Sequence, residues 1–261
     1  MTFNQIVESV SATGSIDVPA GWTQGRALFG GLLAALMYRA LEQKVGEAVP
    51  VRSITVSFVA PASAGALQCD AEILRQGKSV TQGLCRAIQD GQVVAVLLAS
   101  FGFGRDSQIQ VDACPAPSFK SPDEVFRLPY IPGVTPEFIQ HYDFRWAHGG
   151  VPFSGAAQAD IGGWVREQGA RDKVDIADLL GLVDSWPPAV LPMLKTPAPG
   201  SSMTWTVEFM PGATSGSGRQ WWQYLAETEW AAEGYAHTRA RVWDERGKLV
   251  AISRQTVTVF A

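Results

Sequence analysis

Few residues in this sequence are placed to do chemistry, and one acid stands apart among them. In "DIADLLGLVDSW", a helical projection at about 100° per residue gathers Ile176, Leu179, Leu180 and Val183 into one apolar stripe. Asp175 and Asp178 fall on the opposite side and read as solvated first-turn acids that suit the helix dipole. Asp184 falls about 40° beyond Leu180, on the flank of the apolar face. A carboxylate there is partly desolvated and needs a partner or a task. It is either a proton acceptor or a helix-end acid bonding local amides before Pro187.

Other reactive arrangements fail. "GSSMT" (Gly200–Thr204) comes nearest to the serine-hydrolase elbow, yet it ends in Thr and enters a strand. "GFGRDS" (Gly102–Ser107) lacks the last glycine of the dinucleotide fingerprint, and the P-loop lysine motif is missing. His141, His148 and His237 show no ligand spacing and no evident partner acid, so each reads as a surface or core residue. Cys69, Cys85 and Cys114 stand singly without CxxC spacing. That speaks against a disulfide framework or a zinc site, and for a reducing cytoplasm. Chemistry here is expected to use acids and amides rather than a Cys or Ser nucleophile paired with His.

The elements that must position such groups occur twice. "QGRALFGGLLAALMYRAL" opens with Gly30–Gly31 and carries Leu32, Leu33, Leu36, Met37, Ala40 and Leu41 at helical spacing. "VRSITVSFVAP" alternates Ile54, Val56 and Phe58 with polar residues, and three more strands follow, with "QDGQ" as a hairpin signal. The second half repeats the order. "DIADLLGLVDSWPPAVL" supplies a helix, and "SSMTWTVEFMPG" a strand with Met203, Trp205, Val207 and Phe209 on one face. Three more strands come after it, with "DERGK" in place of "QDGQ". A helix followed by a run of strands, twice, is an α+β unit in duplicate.

The repeat serves as an internal control. Phe58 and Phe209 stand 151 residues apart, and Gly91 and Gly247 stand 156 apart. With a helix offset of about 147, Asp184 falls opposite Met37, Ser202 opposite Val51, and Gln255 opposite Ala99. At all three places the second half is polar where the first is inert. One half is expected to keep a reaction site and the other a scaffold. Taken singly, Ser202 reads as a strand-start hydroxyl and Gln255 as an ordinary strand residue.

Composition sets the bounds. At 261 residues and 46% hydrophobic, the chain stands between one large domain and two ordinary ones. Net charge is −4 with acids and bases interspersed, so no basic block marks a nucleic-acid footprint. "MTFNQIVESV" lacks the basic region and apolar core of a secretory signal. The longest apolar run, Val93–Phe103, is too short to span a bilayer, and no membrane insertion is expected.

The strings "GRALFGGLLAALMYRAL", "VRSITVSFVAPASAG", "EILRQGKSVTQGLCRAIQDGQVVAVLLASF" and "GKLVAISRQTVTVF" resemble the type II, TesB-like acyl-CoA thioesterases. The similarity runs over nearly the whole chain and is weakest over residues 105–141. It implies a double hotdog, two tandem units each with a long helix wrapped by an antiparallel sheet. The expected organisation is a scaffold unit at 1–110, a linker at 111–140 and a catalytic unit at 141–261. The implied activity is hydrolysis of an acyl-CoA without metal or organic cofactor, and a homodimer is compatible with it.

In that family an Asp on the second helix, a Thr at the following strand start and a Gln on the last strand hold a water. These fall on Asp184, Ser202 and Gln255. Ser replaces Thr, and strand parity favours Ser201, which shares a face with Met203 and Trp205. Thr204 stands where many relatives carry an acid. The amides at Gly30 and Gly31 are the expected oxyanion donors. Two other hotdog readings compete, a non-catalytic acyl-thioester-binding module and an enoyl-CoA hydratase, which generally wants an Asp/His pair.

Overall fold

Alternation in "VRSITVSF" and "TWTVEF" puts two strands side by side at the centre of the molecule, one from each repeat. The computed structural model describes residues 1–46 and 48–261. The first repeat runs through α1 (Phe3–Glu8), β1 (Ser15–Val18), the small β2 (Thr23–Gln24) and β3 (Ala27–Leu28) pair, and α2 (Gly30–Val45). It continues with β4 (Val51–Phe58), β5 (Gly65–Gln76), β6 (Val80–Gln89) and β7 (Gln92–Gly102). The second comprises β8 (Phe126–Leu128), β9 (Tyr142–His148), β10 (Asp160–Glu167), α3 (Ile176–Asp184) and β11 (Gly200–Phe209). It closes with β12 (Trp222–Ala232), β13 (Tyr235–Trp243) and β14 (Leu249–Val259).

All strands but β2 and β3 form one sheet, in the order β1-β5-β6-β7-β4-β11-β14-β13-β12-β10-β9-β8. The repeats join where β4 pairs antiparallel with β11, and Thr55 lies directly opposite Thr206. Those two threonines are 151 residues apart, so a pseudo-twofold axis passes between them, and their hydroxyls meet at 3.1 Å. Each repeat is an α+β unit, a helix wrapped by antiparallel strands. The apolar faces of α2 and α3 and the inner face of the sheet make one continuous core.

The repeat offsets hold down to local irregularities. β4 is bulged at Arg52, between Val51 and Ser53, and β11 at Met203, between Ser202 and Thr204. β5 and β12 are bulged at the matching places, between Ile73 and Arg75 and between Thr228 and Trp230. The "QDGQ" hairpin is a two-residue turn with positive φ at Asp90 and Gly91, as a type I′ turn requires.

The two helices differ in length. α2 has 16 residues, whereas α3 has nine and stops ahead of Pro187–Pro188, since neither proline can donate to the ladder. Residues 114–128 are tied to the second repeat. β8 pairs with β9, and the indole N–H groups of Trp243 and Trp164 donate to the carbonyls of Cys114 and Lys120. Cys69 and Cys85 are buried on neighbouring strands as free thiols. Among the described residues no helix is long and apolar enough to cross a membrane.

Candidate active site

Asp184 is the last residue of α3, and it meets two elements outside its own helix. The Gln255 side chain on β14 donates from Nε2 to Asp184 Oδ1 at 2.7 Å. The backbone N–H of Gly31, in the first turn of α2, also bonds the carboxyl. Its own surface is half-buried. Burial raises its pKa from 3.8 to about 7, against the lowering effect of the Gln255 and Gly31 hydrogen bonds. Desolvation outweighs them because both donors are neutral dipoles.

Close helix packing explains the paired glycines. A Cβ on Gly31 would stand 3.0 Å from the Leu180 carbonyl and 2.6 Å from the Phe29 ring. A Cβ on Gly30 would stand 2.8 Å from Asp184 Oδ2 and 3.1 Å from Phe58 Cζ. The start of α2 thus touches the end of α3 because neither glycine carries a side chain. Phe29, at the N-cap, offers no side-chain cap. The first amides of α2 have no intrahelical acceptor, and one of them is turned to Asp184.

The bulge at Met203 decides which serine faces inward. Directly opposed residues share a sheet face. Trp205 is buried and opposes Gln255, so Gln255 faces α3. Across the bulge Ser202 opposes Val257, which is fully buried. Ser202 therefore shares the inner face with Gln255, two residues away along β14. The parity that favoured Ser201 assumed an unbroken strand, and the extra residue reverses it. Met203, expected beside Trp205, is instead 42% exposed. No hydrogen bond joins Ser202 to Asp184 or Gln255 among the described residues.

The two acids at the start of α3 are not the open pair expected from the helical projection, for Asp178 is buried and Asp175 is half-buried. Asp175 caps the helix and exchanges backbone hydrogen bonds with Asp178. Arg39 of α2 reaches Asp175 at 2.6 Å, and Arg171 pairs with both acids. Asp178 is 4% exposed, and burial with the Asp175 charge raises its pKa to about 7. Glu167 nearby is raised to about 8, first by burial and then by Asp178. The starts of the two helices therefore differ. That of α3 is closed by its own acids and by arginines, while that of α2 opens onto Asp184.

Residues that patterning did not single out also surround the carboxylate. Burial, then the Asp184 charge, push the Tyr224 phenol above its ordinary value, and the same charge contributes at Tyr142. Trp186, two residues past Asp184, stacks on Tyr224 at 5.0 Å. Alternation in "WWQYLAETEW" turns Tyr224 inward, but nothing in the sequence pairs it with Asp184. His148 does have a partner acid, Asp160 at 2.8 Å, held there by the β9–β10 pairing.

Comparison with known proteins gives the arrangement a context. Among curated proteins none matches the sequence. A hot dog fold protein of unknown function from Alicyclobacillus acidocaldarius is 27% identical, with 99% of this chain and 98% of that one covered and a TM-score of 0.88. The acyl-CoA thioesterase II TesB2 of Mycobacterium marinum is 22% identical over 88% of each chain, with a TM-score of 0.67. A tesB protein of Mycobacterium avium subs paratuberculosis is 15% identical over 99% and 98%, with a TM-score of 0.76. Those last two likenesses show the fold. Family models for the acyl-CoA thioesterase N-terminal and C-terminal domains match residues 18–102 and 111–259. The chain therefore belongs to the acyl-CoA thioesterase family, as a thioester hydrolase on a double hotdog.

Proposed function

We propose that the protein hydrolyses an acyl-CoA by direct attack of water, with Asp184 as general base. The observation that carries this reading is the Gln255–Asp184 hydrogen bond of 2.7 Å on a carboxyl whose pKa is raised to about 7. A base poised near the working pH accepts a proton efficiently and is still ionised often enough to act. Help of this kind is worth roughly 10²–10⁴-fold.

Gln255 fixes the rotamer of Asp184 through Oδ1, and Gly31 holds the same carboxyl from the α2 side. The Ser202 hydroxyl, on the Gln255 face of the sheet, positions the water. As its oxygen bonds to the thioester carbonyl carbon, the proton passes to Asp184 and the carbonyl becomes an oxyanion. Amides at the start of α2, with Gly30 presenting no side chain, stand where partial positive charge stabilises it. The C–S bond then breaks and CoA leaves as a thiolate, which takes up a proton. Such a leaving group needs no covalent acyl-enzyme.

Release of free thiol from short, medium, long and aromatic acyl-CoAs tests the reading. Wild type should turn over part of this panel and Asp184→Asn should lose at least 10²-fold in kcat. Normal turnover by the variant would remove Asp184 from the mechanism.

A further inference from the structure

The Gly31 amide meets Asp184 only while the first turn of α2 is held in place, and what holds it comes from the second repeat. A short 3-10 helix, Glu137–His141, leads into β9 and turns Phe138 and Ile139 inward. It lies along the first-repeat residues that lead into α2. The Thr23 hydroxyl donates to Glu137 at 2.8 Å, and His141 Nε2 donates to the Gly21 carbonyl at 3.0 Å. Beside these contacts the His141 and Trp22 rings stack with centroids 3.9 Å apart.

Phe29 passes this brace on to the helix. Its ring is fully buried and stacks on Phe138, with centroids 4.0 Å apart and planes within 7°. Tyr142 meets it edge-to-face at 6.1 Å. The same ring covers Gly31, where a Cβ would stand 2.6 Å from Phe29 Cζ. The Phe29 N–H donates to the Trp22 carbonyl at 2.9 Å, and its own carbonyl accepts the Leu33 N–H at 3.1 Å. Ring and backbone together fix one turn.

The two helices begin by opposite means. α3 has Asp175 at its N-cap, and that carboxylate takes the Asp178 N–H of its own first turn at 3.0 Å. A carboxylate at Phe29 would do the same to the amides that serve Asp184. An aromatic residue anchored from outside holds the turn and leaves those amides free.

We infer that Phe138 is a positioning residue, which by its stack on Phe29 holds the first-turn amides of α2 against Asp184 and the reacting carbonyl. A misplacement of about 1 Å at a reacting centre costs roughly 10²-fold in rate. Leucine fills most of the volume of Phe138 but offers no planar face, so the Phe29 ring loses its partner and the turn drifts. This inference rests on the proposed hydrolysis at Asp184.

The test measures kcat, KM and the pH profile of kcat/KM for an acyl-CoA that wild type hydrolyses, in Phe138→Leu, Phe29→Leu, both together and Phe101→Leu. Phe101 is a similarly buried ring, stacked on Tyr38 in the middle of α2, and controls for lost packing. Phe138→Leu should lower kcat by about 10-fold or more with KM within about twofold. Its inflection should move to higher pH, because the Gly31 hydrogen bond that lowers the Asp184 pKa is weakened. Tyr142 and Tyr224 also face Asp184 and stay neutral, since burial pushes both phenols up. Asp178 and Glu167, by the start of α3, are unchanged in all four variants.

The double variant should be no slower than Phe29→Leu alone, since both changes act through one stack. Phe101→Leu should lower Tm and leave kcat and the inflection in place. If Phe138→Leu does not fold, Phe138→Met carries the same expectations. An unchanged kcat, a loss without a moved inflection, losses that simply add in the double variant, or the same changes in Phe101→Leu overturn this inference alone. Normal turnover by Asp184→Asn overturns the hydrolysis and the inference together.

Discussion

Gly30 and Asp184 belong to different repeats, yet a Cβ on the glycine would stand 2.8 Å from Asp184 Oδ2. The site exists only because the start of one helix comes this close to the end of the other. Gly30→Ala is therefore expected to displace the carboxylate or the Phe58 ring, which lies 3.1 Å away on the same side. Overpacking of this kind costs about 1–3 kcal/mol. Kinetics with an acyl-CoA should show kcat reduced at least 10-fold, with a lowered Tm in a thermal melt.

Asp184 trades stability for a poised base. Its pKa is raised from 3.8 to about 7 on folding, so the folded state holds a proton that the unfolded chain has lost between those values. Stability from this group is present at acid pH and falls as pH rises from about 4 to about 7. Asp184→Asn, which keeps an acceptor for Gln255, should be more stable than wild type at pH 8 by roughly 1–4 kcal/mol. The difference should vanish near pH 4. Urea unfolding at both pH values checks it, and equal stability at pH 8 would mean the carboxyl is not strained.

The bulge at Met203 makes a prediction about neighbours. Ser202→Ala should lower kcat by about 10-fold or more, as expected when a hydroxyl positioning the attacking water is lost. Ser201→Ala, on the outer face, should stay within about twofold of wild type, since surface substitutions rarely matter. A larger loss at Ser201 than at Ser202 would put the wrong serine on the inner face.

Much of this was legible in the sequence because duplication supplied its own reference. Alternation in "VRSITVSF" and "TWTVEF" marked the central strands, and the offset of 151 residues reappears as the Thr55–Thr206 pair at the seam. Asp184 stood out by helical angle, and Gln255 by its contrast with Ala99. The inward serine was ambiguous because a bulge changes parity without leaving a mark in residue type. Helical projection alone makes Asp175 and Asp178 look solvated, because it does not show Arg171 folding back on both acids or Arg39 of the other helix reaching Asp175. Tyr224 and Trp186 were silent for the same reason. Nor could spacing reveal that His148 meets Asp160, since β9 and β10 are brought together across a loop.

The pH dependence of kcat/KM for thiol release, in wild type and in Gln255→Leu, tests the central claim most directly. If Asp184 is the base, the wild-type rate rises with pH through a single ionisation near pH 7 and levels above it. Gln255 stabilises the charged carboxylate, so its removal should move that inflection to higher pH as well as lowering the plateau. A profile that is flat from pH 5 to 9, or an inflection that ignores the loss of Gln255, would contradict the assignment.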